Sequence, residues 1–215
     1  MCGIAGYLTP PNQTPSKAEL RSMTDVLAHR RPDAVGYDLH NSVALRYRRL
    51  SILDLSDAAA QPMQSHNGRY TIVFNGEVYN FREIASCLSE ADFHSSGDTE
   101  VILEAFVQWG PDFVHELNGM FAIAIHDRQQ NELWLFRDRI GIKPLYYGTR
   151  NGLFAFASEI KSIRQIAAFK DNLTLDREAV GHFCTWAISH HLGRSTQRFG
   201  PCSPVPAAFI VMGNS

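Results

Sequence analysis

The apolar positions of the chain fall into short runs with the periodicity of strands or of helices. Residues 2–8 are small and apolar and predict a buried strand, and residues 70–74 predict another. Residues 121–125 are apolar at every position, which is typical of a strand buried on both faces of its sheet. Because helical segments are interspersed with groups of strands, the pattern predicts an α+β domain of stacked sheets with helices outside.

Helices are predicted where apolar residues recur at helical spacing behind a capping residue. Ser16 can cap a first helix, which ends before Pro32. Asp98 stands at the expected N-cap of a helix that runs to Trp109. Shorter helices are predicted over residues 79–88, 159–166 and 178–186. By contrast, the segment 190–206 is rich in Gly and Pro and is predicted to be loop-like.

Length and charge limit the classes of function. The chain has 215 residues, enough for one large domain or two small ones. Its net charge of −2 provides no basic surface for nucleic acid or an anionic membrane. No apolar run reaches the roughly 18 residues of a transmembrane helix, and prolines interrupt the first apolar run too early for a signal peptide. A cytoplasmic location is therefore expected.

The cysteines are widely spaced along the chain. Cys2, Cys87, Cys184 and Cys202 form no Cys-x-x-Cys pair and no dense cluster. This usage is typical of a protein in a reducing compartment. We therefore predict no metal site and no cofactor.

Cys2 is the first candidate for chemistry. If Met1 is removed, Cys2 carries both a thiol and a free α-amine, whose pKa of roughly 7.7 to 8.0 suits it to act as a general base near neutral pH. One residue would then supply the nucleophile and its base. The alternative is that Cys2 is a small buried hydrophobic residue at the start of a strand.

Three polar positions have both a structural and a functional interpretation. Asn75-Gly76 is typical of a hairpin turn that ends the strand before it, but an amide and a glycine N–H can also hold an oxyanion. Arg49 lies in a run of arginines that is either a solvated face or the receptor of a carboxylate. Asp98 either caps its helix or faces a pocket and binds a substrate ammonium.

A series of motifs stands in a fixed order along the chain. They are Met1-Cys2-Gly3-Ile4-Ala5-Gly6, Arg49-Leu50-Ser51-Ile52-Leu53-Asp54, Gln61-Pro62-Met63, Phe74-Asn75-Gly76-Glu77-Val78-Tyr79-Asn80, Gly97-Asp98-Thr99-Glu100, Leu117-Asn118-Gly119-Met120-Phe121-Ala122, Arg137-Asp138-Arg139-Ile140-Gly141-Ile142-Lys143-Pro144-Leu145-Tyr146 and Phe156-Ala157-Ser158-Glu159-Ile160-Lys161. With these motifs the chain resembles the class II glutamine amidotransferase domain of the N-terminal-nucleophile hydrolases. It is most similar to the N-terminal half of the glutamine-hydrolysing asparagine synthetases.

The resemblance implies a fold and a domain organisation. It implies a four-layer αββα sandwich, in which two antiparallel sheets lie between helices. The amidotransferase domain is expected over residues 1–190. Residues 191–215 are expected to form an irregular C-terminal extension that leads toward a synthetase domain, and the Ser-Gly-Gly-x-Asp phosphate-binding run of such a domain does not occur in the sequence.

The resemblance also implies roles for residues. Cys2 would attack the glutamine side-chain amide, with its α-amine as the base, and Asn75 and Gly76 would form the oxyanion hole. Ammonia and then glutamate would be released, and the ammonia would serve the biosynthesis of asparagine or a related amide. The substrate α-carboxylate and α-amino group would be bound by Arg49, by the backbone of Leu50, Ser51, Ile52 and Leu53, and by Glu77 and Asp98.

Some positions depart from the family pattern. The family has Arg-Gly-Pro-Asp where this chain has Arg30-Arg31-Pro32-Asp33, and Gly-His where it has Arg46-Tyr47. None of these changes removes a proposed catalytic group, so a glutaminase is the leading hypothesis. The altered loops and the missing synthetase domain leave open an alternative, a catalytically impaired scaffold or regulatory subunit that docks on a synthetase. A second alternative, another amide as substrate, is disfavoured because Arg49 and Asp98 together suit an amino-acid head group. The expected partners are glutamine and an ATP-dependent synthetase domain or subunit. A second copy of the chain, in a homodimer, is a further candidate partner.

Overall fold

The computed structural model describes residues 2–30, 34–49, 60–88, 93–170, 200–201 and 209–213. The described residues form eleven strands: β1 Gly3–Leu8, β2 Ala34–His40, β3 Val43–Arg49, β4 Met63–Gln64, β5 Tyr70–Val78, β6 Gly119–Asp127, β7 Glu132–Arg137, β8 Tyr146–Arg150, β9 Leu153–Ala157, β10 Gly200–Pro201 and β11 Phe209–Gly213. The helices are α1 Lys17–Asp25, α2 Phe81–Cys87, α3 Asp98–Trp109, α4 Ile160–Ile163 and α5 Ala167–Lys170, with 3₁₀ turns at Ala28–Arg30 and Gly110–His115. The helix expected over 178–186 lies outside the described residues.

The strands form two antiparallel sheets. The first sheet has the order β10-β8-β9-β1-β3-β2, and the second has the order β11-β7-β6-β5-β4. In the first sheet, β1 pairs with both β3 and β9, so the N-terminal strand is central. In the second sheet, β5 pairs with β6 along its whole length, from Tyr70 opposite Asp127 to Val78 opposite Gly119.

Three apolar clusters define the layers. Side chains between the sheets include Ile4 and Leu45 of the first sheet and Val73 and Leu135 of the second. The outer face of the second sheet packs against α2 and α3, and the outer face of the first sheet packs against α1, α4 and α5. The predicted order of two sheets between helices is therefore confirmed.

The apolar segment 121–125 behaves as predicted. All five of its residues, within β6, are at most 2% exposed, because β6 lies inside its sheet with packed side chains on both faces. Among the described residues, no helix combines the length and the apolar character that crossing a membrane would require.

Two local predictions are wrong. The strand expected to end at Asn75 continues to Val78, because β6 runs beside it and pairs with each residue of the supposed turn. The N-cap of α3 is Gly97, and Asp98 is the first residue of the helix. The Asp98 carboxylate accepts a hydrogen bond from the backbone N–H of Val78, so it joins the start of α3 to β5.

His126 of β6 is a buried titratable group. It lies beside the ring of His40, with 5.7 Å between the ring centroids. Burial, together with the neighbouring imidazole, lowers the pKa of His126 from 6.5 to about 4. The unfolded chain takes up a proton near pH 6.5, whereas the folded protein excludes it until about pH 4. The free energy of unfolding should therefore fall by about 3 kcal/mol as the pH falls through this window.

Denaturant unfolding at several pH values between about 7 and 4 tests this prediction. In the His126→Leu variant, the free energy of unfolding should depend less steeply on pH than in the parent. The comparison uses only this slope, so the stability of the variant at neutral pH does not affect it. Equal slopes for the parent and His126→Leu would contradict the assignment.

Candidate active site

Cys2 lies directly before β1 and is partly exposed. Its side chain packs against the cluster between the sheets, which includes Val73 of β5. The Tyr47 hydroxyl donates a hydrogen bond to the Cys2 Sγ at 2.9 Å. Tyr47 is in register with Ile4 in the pairing of β1 with β3, so the sheet itself brings the phenol to the thiol. Sequence analysis noted Tyr47 as a departure from the family pattern but did not predict this contact.

Asn75 presents a buried amide on the same side of the second sheet. Along β5, Ile72 and Phe74 pack on the helix side, whereas Val73 packs between the sheets. Because side chains alternate along a strand, Asn75 shares the face of Val73. It is 1% exposed, and its Nδ2 has no hydrogen-bond partner among the described residues. A buried, unpaired donor costs about 1–3 kcal/mol, so this amide is a binding group that the folded chain leaves unused.

The peptide group of Gly76 points away from β6. Gly76 stands opposite Phe121, but the Phe121 N–H bonds to the Asp138 carboxylate at 3.2 Å and its carbonyl accepts from the Asp138 N–H at 2.9 Å. In an antiparallel ladder, a pair that exchanges no hydrogen bonds turns its peptide groups to the outer edges. The Gly76 N–H therefore faces the β4 side of β5.

That edge of β5 extends beyond the residues that pair with β4. The Phe74 N–H on this edge donates to Gln61 Oε1 at 2.6 Å, and the Val78 N–H donates to Asp98 Oδ2 at 3.0 Å. The Gly76 N–H lies midway between them on the same edge. Side chains thus satisfy the backbone donors on either side of Gly76, which places Gly76 at a gap in the strand edge.

Only glycine fits at position 76. A Cβ built on Gly76 would lie 2.2 Å from the carbonyl oxygen of Met120 on β6. Real Cβ atoms do not approach backbone oxygen so closely, so any side chain would push β5 and β6 apart. The glycine therefore keeps the strand regular next to Asn75.

Gln61 connects two elements of the site, a contact that sequence analysis, which named Gln61 only within a motif, did not predict. Besides accepting from Phe74, its Nε2 donates to Thr99 Oγ1 at 3.2 Å, and the Gln61 side chain is buried. The two bonds join β5 to the first turn of α3. They fix Asn75 relative to Asp98.

Asp98 and Glu77 place two acidic side chains at the end of β5. Asp98 is 8% exposed, and burial is the main cause that raises its pKa to about 6; the charge of Glu77 acts in the same direction, and backbone N–H groups of Val78, Asp98 and Thr99 oppose it. Among the described residues, neither carboxylate has an ion-pair partner. Within the described part of the chain, the pair therefore forms an acidic end of the site with no neutralising cation.

The arginines of β3 have different surroundings. Arg48 donates to Asp25 at 2.8 Å, and Arg46 lies 3.9 Å from the same carboxylate, so both contact the end of α1. Burial, foremost, lowers the pKa of Arg46. Arg49 is the last residue of β3, next to Arg48, which pairs with Gly3. Leu50, Ser51, Ile52 and Leu53 lie outside the described residues.

The fold thus brings some predicted site residues together. Cys2 and Asn75 face the same space between the sheets, and Gly76, Glu77 and Asp98 follow along the end of β5. This arrangement offers a thiol, an amide donor and a backbone donor on one side, and two carboxylates on the other. It suits attack on a carbonyl in a molecule that also carries a positive group.

A family model and two curated relatives match the chain and agree with each other on its family. A family model described as a glutamine amidotransferase domain matches residues 1–203. The chain is 40% identical over 166 residues to glutamine-hydrolyzing asparagine synthetase 2 of Bacillus subtilis, covering 76% of this chain and 22% of that protein. It is 36% identical over 191 residues to asparagine synthetase 1 of the same organism, covering 86% and 30%. The chain spans less than a third of either relative.

The fold is shared with a solved enzyme. The glutamine phosphoribosylpyrophosphate amidotransferase of B. subtilis superposes with a TM-score of 0.66 at 18% identity, covering 78% of this chain and 44% of that one. The comparison supports the two-sheet architecture.

Proposed function

Because the chain belongs to the glutamine amidotransferase domain family, we propose that it hydrolyses glutamine to glutamate and ammonia through a thioester on Cys2. The observation that carries the proposal is the buried Asn75 Nδ2, which has no partner among the described residues and shares the space between the sheets with Cys2. An unpaired donor of this kind is what a developing oxyanion requires. The ammonia would supply the synthesis of asparagine or a related amide.

The proposed reaction uses the Cys2 thiol, its α-amine and two hydrogen-bond donors of the chain. The α-amine of Cys2, free once Met1 is removed, takes the thiol proton, and the thiolate attacks the side-chain carbonyl of glutamine. The carbonyl oxygen becomes an oxyanion that accepts from Asn75 Nδ2 and the Gly76 N–H. The ammonium form of the amine returns the proton to the leaving nitrogen, which departs as ammonia. Water then adds to the γ-glutamyl thioester, and glutamate leaves as the thiol is restored.

The head group of glutamine carries one positive and one negative group. We assign its α-carboxylate to Arg49 and the backbone of residues 50–53, because a guanidinium binds a carboxylate through two hydrogen bonds. We assign its α-ammonium to Asp98 and Glu77, the acidic pair that has no cation among the described residues. The substrate α-ammonium would balance the charge of this acidic pair.

Asn75→Ala separates the catalytic role of this amide from a structural one. We expect kcat to fall by about 10²–10³-fold, since one oxyanion donor is lost. The free energy of unfolding should stay within about 1 kcal/mol of the parent, because Nδ2 forms no hydrogen bond with the described residues to be lost. Glutamate release and denaturant unfolding of the same preparation measure both quantities.

As a control, Asn131→Ala changes an asparagine in the turn after β6, at the end of that strand remote from Gly76, where its Nδ2 donates to Ser42 Oγ at 2.7 Å; this variant should leave kcat unchanged. If Asn75→Ala reduces stability by several kcal/mol and kcat only slightly, the amide is structural and the assignment fails.

Glutamate and ammonia release from glutamine by the purified chain tests the function itself, with an intact mass to show whether Met1 has been removed. Turnover would support the glutaminase. A processed chain that binds glutamine but does not hydrolyse it would favour the alternative, a scaffold or regulatory subunit that docks on a synthetase. A processed chain that hydrolyses another amide faster would overturn the substrate assignment.

The proposal also covers the synthetase partner, the limits of the catalytic domain and the cellular location. Its ammonia would pass to an ATP-dependent synthetase domain or subunit, in keeping with relatives that are more than three times as long as the matched region. We propose a catalytic domain over residues 1–190 and an extension toward the synthetase over 191–215, whose described parts, β10 and β11, pair with β8 and β7 at the edges of the two sheets. The proposed location is the cytoplasm. Transfer of the ¹⁵N label of glutamine amide to an acceptor, on adding a candidate synthetase, would identify this partner.

A further inference from the structure

Two histidines and a buried glutamate converge where the segment before α3 meets the turn between β4 and β5. His66 belongs to that turn, His94 to the segment, and Glu100 to the first turn of α3. One ligand atom from each of the three residues lies within 4.8 Å of the others. Sequence analysis predicted no metal site because it considered cysteine spacing, and the two histidines are too far apart in sequence to form a recognisable motif.

The distances match those around a small metal ion. His66 Nε2 lies 2.8 Å from Glu100 Oε1, and His94 Nδ1 lies 3.6 Å from the same oxygen. Around tetrahedral Zn²⁺, bonds of about 2.0–2.1 Å hold the ligand atoms roughly 3.4 Å apart. The two observed distances bracket that value, so small side-chain rotations would accommodate the ion.

The imidazole rings are arranged to converge rather than to stack. Their centroids are 5.1 Å apart and their planes are 78° from parallel. His66 Nε2 is within hydrogen-bond distance of Glu100 Oε1, at 2.8 Å, and His94 Nδ1 lies 3.6 Å from the same oxygen. Two imidazole nitrogens therefore lie near one carboxylate oxygen, which is the grouping of donor atoms that a shared metal ion needs.

Surrounding groups hold the ligands in place. Glu100 Oε2 accepts from the Ser95 N–H at 2.7 Å and from Ser95 Oγ at 2.6 Å, while Oε1 accepts from the His94 N–H at 3.0 Å. His66 Nδ1 lies 4.0 Å from Glu104 Oε1, and the same oxygen accepts from the His66 N–H at 2.9 Å. Metal-binding histidines commonly have a carboxylate on the side of the ring away from the ion.

The exposure of the three side chains and their ligand atoms indicate how an ion could enter and which metal it would be. The His94 and His66 side chains are 70% and 33% exposed, whereas Glu100 is 7% exposed. An ion could enter from solvent on the histidine side and meet a fixed carboxylate, with water in the remaining position. Two imidazoles and one carboxylate suit Zn²⁺ and neighbouring divalent transition metals better than Ca²⁺ or Mg²⁺, which prefer oxygen ligands.

We propose that His66, His94 and Glu100 form a binding site for a divalent transition-metal ion, with Zn²⁺ the best match. The ion would tie the turn before β5 to the segment that leads into α3. Since it would bind the folded chain in preference to the unfolded one, it should stabilise the fold. The thioester chemistry proposed for Cys2 does not involve this site, so either proposal can fail without the other.

The test is binding of Zn²⁺ and Co²⁺ to the purified chain. Calorimetry should detect one Zn²⁺ site, and Zn²⁺ should raise the melting temperature by roughly a few degrees. Bound Co²⁺ should show visible absorption without the near-ultraviolet band of a cobalt–thiolate bond, because the ligands are nitrogen and oxygen. In His94→Gln, which alters an exposed side chain, Zn²⁺ affinity should fall by at least about 10-fold and the thermal shift should disappear.

His115→Gln is the matched control, since His115 is an exposed histidine outside the cluster; this variant should bind Zn²⁺ like the parent. Equal Zn²⁺ affinities for the parent and His94→Gln would overturn the proposal. So would a cobalt–thiolate band that disappears in Cys2→Ala, because the ion would then be held by the thiol.

Discussion

Cys2→Ala should abolish glutamine hydrolysis and leave glutamine binding nearly unchanged. Loss of a covalent nucleophile reduces kcat by on the order of 10⁴-fold or more, because the remaining groups can only orient water. The binding groups assigned to the head group of glutamine are contributed by other residues, so the dissociation constant should change by less than about 3-fold. Glutamate release measures the first quantity, and calorimetric titration with glutamine measures the second.

Cys87→Ala is the matched control for this experiment. Cys87 is an exposed free cysteine at the end of α2, so its removal should change neither turnover nor binding. Thiol-directed alkylation of the parent should inactivate it, and Cys87→Ala should be inactivated equally. Residual turnover of more than a few per cent in Cys2→Ala would show that the thiol is not the nucleophile.

Adding Tyr47→Phe to the Cys2→Ala variant should cause no further loss of glutamine hydrolysis. The Tyr47 hydroxyl donates to Cys2 Sγ at 2.9 Å, a bond that would stabilise a thiolate as well as orient a thiol. Once the sulfur is gone, the hydroxyl has no role in the attack. We therefore expect Tyr47 to act through Cys2, as a positioning residue.

Local sequence patterns predicted the sheets and helices but misjudged the end of β5. Asn-Gly favours a turn through the conformational freedom of two residues. The outcome was decided by β6, more than 40 residues later, whose backbone pairs with Asn75, Gly76 and Glu77 in turn. Pairing between distant segments overrides a local preference, and a single sequence does not reveal which segments will pair.

The candidate site was predictable where the chemistry depends on residue type. A cysteine at position 2, an amide beside a glycine and a carboxylate before a helix can be read directly from the sequence. Contacts that join distant residues could not be: Gln61 bonds to Phe74 and Thr99, and His66 meets Glu100 across 34 positions. Such partners are set by the packing of β5 against α3, which exists only in the folded chain.

Arg49→Ala should raise the KM for glutamine steeply while kcat changes little. Removing a guanidinium that binds a carboxylate through two hydrogen bonds costs about 2–4 kcal/mol, which corresponds to roughly 30- to 1,000-fold in affinity. Because the α-carboxylate is remote from the scissile amide, the loss should appear chiefly in binding. Arg49→Lys should recover only part of it, since an ammonium keeps the charge but not the planar pair of donors.

Arg48→Ala provides the matched control because the two arginines are adjacent in β3. The Arg48 guanidinium bonds to Asp25 at 2.8 Å, so its loss should reduce stability without affecting KM. A rise in KM for Arg49→Ala alone would therefore separate substrate binding from the general positive charge of the strand. Equal KM values for Arg49→Ala and the parent would remove the carboxylate assignment. A rise of the same size in Arg48→Ala would mean that β3 as a whole, rather than one side chain, shapes the pocket.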